Sequence, residues 1–336
     1  MLTRRVFIGG LSAAFAAGPR KLFAKEEADF DDNLLVFLSD VHAGAAKTCK
    51  CARKKLKEAV AEILKMRPLP RNVLVFGDVA HVYGLGADYD ASRPAFKLLE
   101  DAGITVTVGM GNHDRRSEFA VRWPDAPKKS LVPGRFVHLV ETSGVGFLML
   151  DSLQGTDDRA QDDYGPVPGA LSDDQQAFLR DFLAKRTKPV ILCAHHTVGD
   201  LKMCGQPLAL VMVKTPCVAG FIHGHNHRWT RAWMRDKDQK TPERAKHVLC
   251  LPSNGLWGDI GYATCRILPG DTGGSQLVAT DKPPSGKVVV EPHLKDFWLS
   301  RPVAAERRPP EWDDILAEGR ASGPCTFRLY WSLPIF

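Results

Sequence analysis

Short apolar runs alternate with amphipathic stretches along most of the chain, and nearly every run stops at glycine, aspartate, asparagine or histidine. The runs predict strands over 34–39, 73–76, 105–108, 135–140, 146–151, 189–194, 218–223, 247–252 and 263–268. A 3.6-residue apolar period predicts helices over 51–66, 93–102 and 173–185. The last opens with Ser172 and Gln175 at capping-box spacing and sets Phe178, Phe182 and Leu183 on one face. Strands interleaved with helices indicate an α/β arrangement. A short break around 141–146, between two strands, predicts a hairpin, so the sheets should be mixed. No repeat of 20 to 50 residues is visible.

The two ends read differently from the middle. From about Gly270 the alternation stops: 269–286 is glycine, proline and polar residues, and the rest is rich in proline, arginine and tryptophan. This predicts a linker and a C-terminal extension, 270–336, packing on the core. Phe297, Trp298, Trp312, Phe327, Tyr330 and Trp331 are too many aromatics for a disordered tail. At the other end, Thr3-Arg4-Arg5-Val6-Phe7-Ile8 resembles a twin-arginine export signal. An apolar stretch runs on to about Gly18, and Arg20 and Lys21 follow. Residues 1–24 are therefore expected to be a signal peptide engaging the twin-arginine export machinery, which places the mature chain in a bacterial periplasm. The stretch falls short of the roughly 20 residues a spanning helix needs, so no stable membrane span is expected.

Charge narrows the partners. The 336 residues carry a formal +6, and four of those charges sit in the first 24 residues with no acid beside them. The remainder is close to neutral, which argues against a nucleic-acid partner. The apolar fraction, 44%, is ordinary for a chain that buries a core. Of eight cysteines, Cys193, Cys250 and Cys265 lie in apolar runs and read as small buried hydrophobes. Cys49 and Cys51 lie in a lysine-rich stretch and read as a surface pair open to oxidation. Two further ligands that would make them a zinc site are not nearby.

Five of the apolar runs end in residues that can hold a metal. Asp40 and His42 close the first, Asp78 the second, Asn112 the third, His195 a later one, and His225 and His227 the last. Carboxylate, amide and imidazole donors suit divalent ions of the Mn, Fe, Co or Zn type without any thiolate. Such donors at strand ends fall where sites assemble in α/β sheets. Singly, an aspartate after a strand is usually a turn residue and a histidine usually structural. Turns do not require these residue types in this order.

The ordered set D-x-H at 40–42, G-D at 77–78, G-N-H-D at 111–114, His195, and G-H-x-H at 224–227 resembles the calcineurin-like metallophosphoesterase superfamily over roughly residues 34–268. The resemblance implies a four-layer αββα sandwich of two mixed β-sheets flanked by helices, in a domain spanning 30–269. It also implies two divalent metal ions. Asp40, His42 and His227 would hold the first, Asn112, His195 and His225 the second, and Asp78 would bridge them. A metal-bridging hydroxide would attack phosphorus, with His113 as general acid and Asp114 orienting it. His196, beside His195, is expected near the substrate. His81 stands three residues after Asp78, where relatives carry Asp, Asn or Tyr, and is expected beside the site. The third block, continuing into Arg115 and Arg116, looks like bacterial class III cyclic-nucleotide and glycerophosphodiester phosphodiesterases. Arg115 or Arg116 would reach a phosphate oxygen, or serve equally as a solvated charge at a helix start. His223 is expected to support the site or close a strand.

The expected function is hydrolysis of a small-molecule phosphoester, with diesters favoured by the third block. A phosphomonoesterase or nucleotidase is the alternative, because metal geometry alone does not separate the two. From another class, the same fold could be a non-catalytic metal-binding scaffold, but that would be expected to lose ligands or the acid, and all are present. Specificity should reside in loops around 43–50, 81–92, 154–169 and 197–207.

Overall fold

The computed structural model describes residues 29–154, 168–234, 246–268, 287–296 and 329–332. The expected signal peptide, the linker over 269–286, and Phe297, Trp298, Trp312 and Phe327 lie outside the described residues. Six strands form a first sheet, in the spatial order Leu329–Ser332 (β14), Lys287–Asp296 (β13), Ile260–Ile267 (β12), Phe30–Leu38 (β1), Leu69–Val75 (β2) and Thr105–Val108 (β3). Six more form a second, in the order Thr230–Met234 (β10), Lys246–Cys250 (β11), Val218–His223 (β9), Val190–Ala194 (β6), Gly146–Met149 (β5) and His138–Glu141 (β4). Lys202–Met203 (β7) and Gln206–Pro207 (β8) make a small separate pair.

Both large sheets are mixed. In the first, β1 runs parallel to β2 and antiparallel to β12. In the second, β5, β6, β9 and β11 are parallel while β4 and β10 run against them. The hairpin expected around 141–146 is the β4–β5 pair, closed by Glu141 opposite Gly146.

Period-two alternation with both faces buried explains why the strands read as continuous apolar runs. Leu35, Phe37, Leu74 and Phe76 of the first sheet meet Phe147, Met149, Ile191 and Cys193 of the second in the central core. Phe37 packs edge-on against Phe76 and Phe147, with ring centroids 5.5 and 5.7 Å apart, so one aromatic cluster crosses between the sheets. The alternate residues Val36, Leu38, Val73 and Val75 face outward under the helices Lys50–Ile63 (α1), Gly86–Asp101 (α2) and Arg116–Arg122 (α3). On the second sheet, Leu148, Val190, Leu192 and Phe221 lie under Asp173–Lys185 (α4) and Leu208–Lys214 (α5). Helix, sheet, sheet and helix make the four layers the resemblance implied.

Some local expectations need correction. The helix expected over 93–102 begins at Gly86, two turns earlier. Pro94 lies inside it and disguised the pattern, but burial of Tyr89, Phe96 and Leu99 carries the helix through. In α4, Ser172 does cap, accepting from the Gln175 N–H at 3.4 Å. Its buried face, however, is Gln175, Leu179 and Leu183, while Phe178 and Phe182 stack half-exposed beside it. Cys49 and Cys51 are not a surface pair: both are free, and Cys49 is fully buried while Cys51 is exposed.

Candidate metal centre

Every donor singled out in the sequence follows a strand of one of the two sheets, all at their carboxyl ends. Asp40 and His42 follow β1, Asp78 follows β2, Asn112 follows β3, His195 follows β6, and His225 and His227 follow β9. The loops after β1 and β2 prolong the parallel pairing of their strands. The Asp40 N–H donates to Gly77 O at 3.2 Å, His42 N–H to Asp78 O at 2.8 Å, and Ala43 N–H to Val79 O at 3.2 Å. Five of the seven donors sit on left-handed backbone: Asp40, His42, Asp78, His225 and His227 have φ between 46° and 68°. Residues with a side chain adopt that conformation at a cost of about 1–3 kcal/mol each, and it turns consecutive side chains toward one point. Glycine is required beside it: a Cβ on Gly77 (φ 86°) would stand 2.8 Å from Gly111 Cα.

The donor atoms form two groups that meet at Asp78. In one, the ligand atoms of Asp40, His42, Asp78 and His227 all lie within 4.8 Å of one another. His227 Nε2 is 3.0 Å from Asp40 Oδ1 and 3.4 Å from His42 Nε2. In the other, Asn112 Oδ1 is 2.8 Å from both His195 Nε2 and His225 Nδ1. Asp78 Oδ2 faces both groups, 3.7 Å from His42 Nε2 and 3.2 Å from His195 Nε2. The outer nitrogens fix the tautomers. His42 Nδ1 is 2.8 Å from His81 O and His195 Nδ1 is 2.8 Å from Phe76 O. A carbonyl only accepts, so both Nδ1 atoms carry a proton and both Nε2 atoms face inward, where a cation would take the place of any Nε2 proton. Carboxylate, amide and imidazole atoms converging in this way fit divalent cations of the first transition row.

The field at the site favours positive charge. Burial opposes ionisation of Asp40, yet His227 and His195 outweigh it and hold the carboxyl down to about 2. Burial likewise opposes ionisation of Asp78, but His195, then His113 and His42, keep its carboxyl well below the ordinary range. Burial disfavours a charged His195, but Asp78 and the hydrogen bond between them raise it to about 9. At His42 burial prevails and lowers the imidazole to about 4, leaving a neutral donor. A field that stabilises a proton on a buried imidazole stabilises a bound cation for the same reason.

The remaining candidates fall around these donors. His113 N–H donates to Asp78 Oδ1 at 2.8 Å, and its Nδ1, 2.9 Å from Val82 O, carries a proton given to that carbonyl. Val82, rather than Asp114, thus holds Nδ1 of this ring. The Asp114 carboxylate turns into the loop backbone, accepting from Gly111 N–H at 2.9 Å, Ala80 N–H at 3.1 Å and the Tyr89 hydroxyl at 3.0 Å. Burial, reinforced by Asp78, raises it to about 6. It acts on the site by shaping the 78–81 turn.

Neither arginine is a solvated helix-start charge, for both are buried. Arg116 is committed to a two-pronged pair with Asp151, Nε to Oδ2 at 2.7 Å and the second nitrogen to Oδ1 at 2.8 Å. Arg115 caps α3 by its backbone, with its N–H on the Tyr89 hydroxyl at 2.8 Å. His196 is buried, with its ring centroid 5.0 Å from that of His225 and Nδ1 2.9 Å from Ser152 Oγ. His81 lies beside His42, rings 6.2 Å apart. His223 closes β9, buried, donating from Nδ1 to Gly224 O.

Two contributors escaped the sequence. Buried Asp88 joins the loops after β1 and β2, accepting from Ala45 N–H at 2.8 Å and His81 N–H at 3.3 Å. Trp257 stands over His42, His81 and His227. Neither belongs to an ordered motif, and both act through residues remote in sequence.

Two apposed mixed sheets with a nest of carboxylate and imidazole donors on their carboxyl edge define a class of metal-dependent hydrolase. The calcineurin-like phosphoesterase model matches residues 34–229, more than half of the chain. The chain belongs to that family, whose members are metal-dependent enzymes acting on phosphoester bonds. A probable cyclic nucleotide phosphodiesterase of Rhodopseudomonas palustris is 30% identical over 149 residues, 44% of this chain and 50% of that protein. The match thus spans half the relative's length. Among solved structures, TT1561 of Thermus thermophilus superposes with a TM-score of 0.41 at 11% identity, over 68% of this chain and 93% of that one. The sulfate thiohydrolase SoxB of Thermus thermophilus, in complex with glycerol, gives 0.42 at 11% identity, over 71% and 54%. Among the described residues no helix is long and apolar enough to cross a membrane.

Proposed function

We propose that the chain is a phosphodiesterase using two divalent ions, Mn, Fe, Zn or Co, with Asp78 shared between them. The observation carrying this reading is the position of Asp78 Oδ2, which faces the Asp40, His42 and His227 group on one side and the Asn112, His195 and His225 group on the other. Bound ions of this kind supply Lewis acidity for the phosphoryl oxygens and make water acidic enough to attack phosphorus. The chain's own part is positioning and proton transfer. His113 is registered on Asp78 through its backbone N–H, and its Nδ1 is occupied by Val82 O. Nε2 is then the nitrogen that takes a proton and returns it to the departing alkoxide. Preference for a diester is supported by the third sequence block and by the cyclic-nucleotide relative. Metal analysis of the purified chain, followed by a panel of phosphate mono- and diesters, tests both parts. Two ions per chain with faster diester turnover is the expected result. One ion, or monoester preference, refutes it.

Export by the twin-arginine route to the periplasm is part of the same proposal and rests on Arg4, Arg5 and the apolar stretch after them. Replacing both arginines by lysine should leave the chain in the cytoplasmic fraction. Unchanged fractionation would refute the route.

A further inference from the structure

Trp257 is the exposed aromatic among the large apolar side chains of the described residues, with 57% of its surface open. Its backbone is left-handed, φ 60°, which for a bulky side chain costs energy that only tight surroundings sustain. The surroundings are tight. The loop over 253–259, which crosses from β11 in one sheet to β12 in the other, is fastened to the backbones of two metal-donor residues. Gly255 N–H donates to Asp40 O at 3.1 Å, and Asp259 N–H donates to His227 O at 2.8 Å. Ser253 Oγ lies 2.8 Å from both Asp40 O and Leu256 O and donates to one at a time. Gly258, at φ 72°, lies so close to His227 O that a Cβ there would collide with it. A strained, clamped loop that ends in an exposed indole presents that indole; it does not bury it.

The indole is presented beside the metal donors. Its ring lies 6.1 Å from that of His227 at 15°, 6.0 Å from that of His81 at 23°, and 5.3 Å from that of His42 at 69°. The imidazoles of His227 and His81 stack nearly parallel to the indole, offset from it, and brace its plane while 57% of the residue stays open. A box of mutually perpendicular rings, which would suit a quaternary ammonium group, is a different geometry. A flat aromatic surface is the platform on which a nucleobase stacks, and stacking is indifferent to which base it is. Trp257 also lies beyond residues 34–229, so the family model does not describe it.

We propose that Trp257, with His81 beside it, is the stacking platform for the aromatic base of a nucleotide phosphodiester whose phosphate lies at the metal centre. This deepens the function proposed above and rests on it for the phosphate, but not for the base. The metal-loaded wild type, Trp257→Phe and Trp257→Ala are compared with 3′,5′-cyclic AMP and with glycerophosphocholine. The ratio of kcat/KM for the two substrates should fall about tenfold in Trp257→Ala, the factor supplied by one stacked base, and the change should lie in KM. Trp257→Phe, which keeps a flat ring, should recover most of it. A ratio unchanged in Trp257→Ala, or a greater loss for glycerophosphocholine, overturns the proposal.

A binding measurement separates this idea from the enzymatic one. AMP should quench the intrinsic fluorescence of the wild type saturably, glycerol 3-phosphate should not, and Trp257→Phe should lose the response. Quenching that persists in Trp257→Phe, or that glycerol 3-phosphate matches, overturns the platform. If Trp257-dependent quenching by AMP is seen while no diester is hydrolysed, the platform stands and the phosphodiesterase reading falls.

Discussion

The same strands build two regions of opposite character. Between the sheets, β1, β2, β5 and β6 contribute Phe37, Phe76, Phe147 and Ile191 to an apolar interior in ordinary extended conformation. A few residues further on, the chain turns left-handed at Asp40, His42 and Asp78 and buries them beside His195. Burial of apolar surface stabilises the first region at about 25 cal/mol per Å². The second opposes folding twice over, through strained backbone and through desolvated charge. The interior therefore tolerates what the edge costs. Stability and chemistry should then be separable by mutation, although they share strands.

The sharpest way to break that separation is Asp78→Asn. Turnover should fall about 10⁴-fold, because several kcal/mol of charge stabilisation go with the carboxylate. The thermal midpoint of the metal-free protein should fall only modestly, since His195 loses its counter-charge but can become a neutral imidazole. A large drop in that midpoint would show that the edge holds the fold together. His113→Ala should cost about 10²–10³-fold for alkyl leaving groups and far less for aryl ones, which depart without a proton. Equal losses for both would remove it from the role of acid.

Phe147→Ala probes the other region. It should cost about 3–5 kcal/mol in denaturant titrations, as expected for a large cavity in a packed interior. With metal bound and at low temperature, kcat should stay within about twofold, because a stabilised strand end is all the site needs from it. Chelation tests the edge directly. Stripping the ions should abolish turnover while lowering stability by only about 3 kcal/mol at a metal concentration a hundred times its dissociation constant. Global unfolding on chelation would mean that the apolar interior is not sufficient alone.

The two regions also differed in how far they could be read from sequence. Strand positions such as Thr105–Val108 and Val218–His223 were legible because apolar runs between glycine and polar residues report burial directly. The donor residues were legible because each follows such a run at a motif spacing. Trp257, Ser253 and Asp88 were not, because their roles depend on contacts such as Gly255 N–H to Asp40 O, which join distant loops. The strands β10, β13 and β14 were missed because neighbouring strands, more than their own alternation, sustain them. The contacts of Asp114 were not legible either: its carboxylate accepts from the backbone N–H groups of Ala80 and Gly111, and the first of these lies in the loop after another strand.

Asp40, Asp78 and Asn112 are carried by one sheet and His195, His225 and His227 by the other. Cations seated among them would act as rivets through the sandwich, so the sheets could not part without letting an ion go, nor an ion leave freely while they stay shut. Retention time would then be set by the packing behind the site as well as by its ligands. Phe147→Ala, which touches no donor, should therefore hasten loss of metal to a chelator, and an unaltered release rate would disprove that coupling.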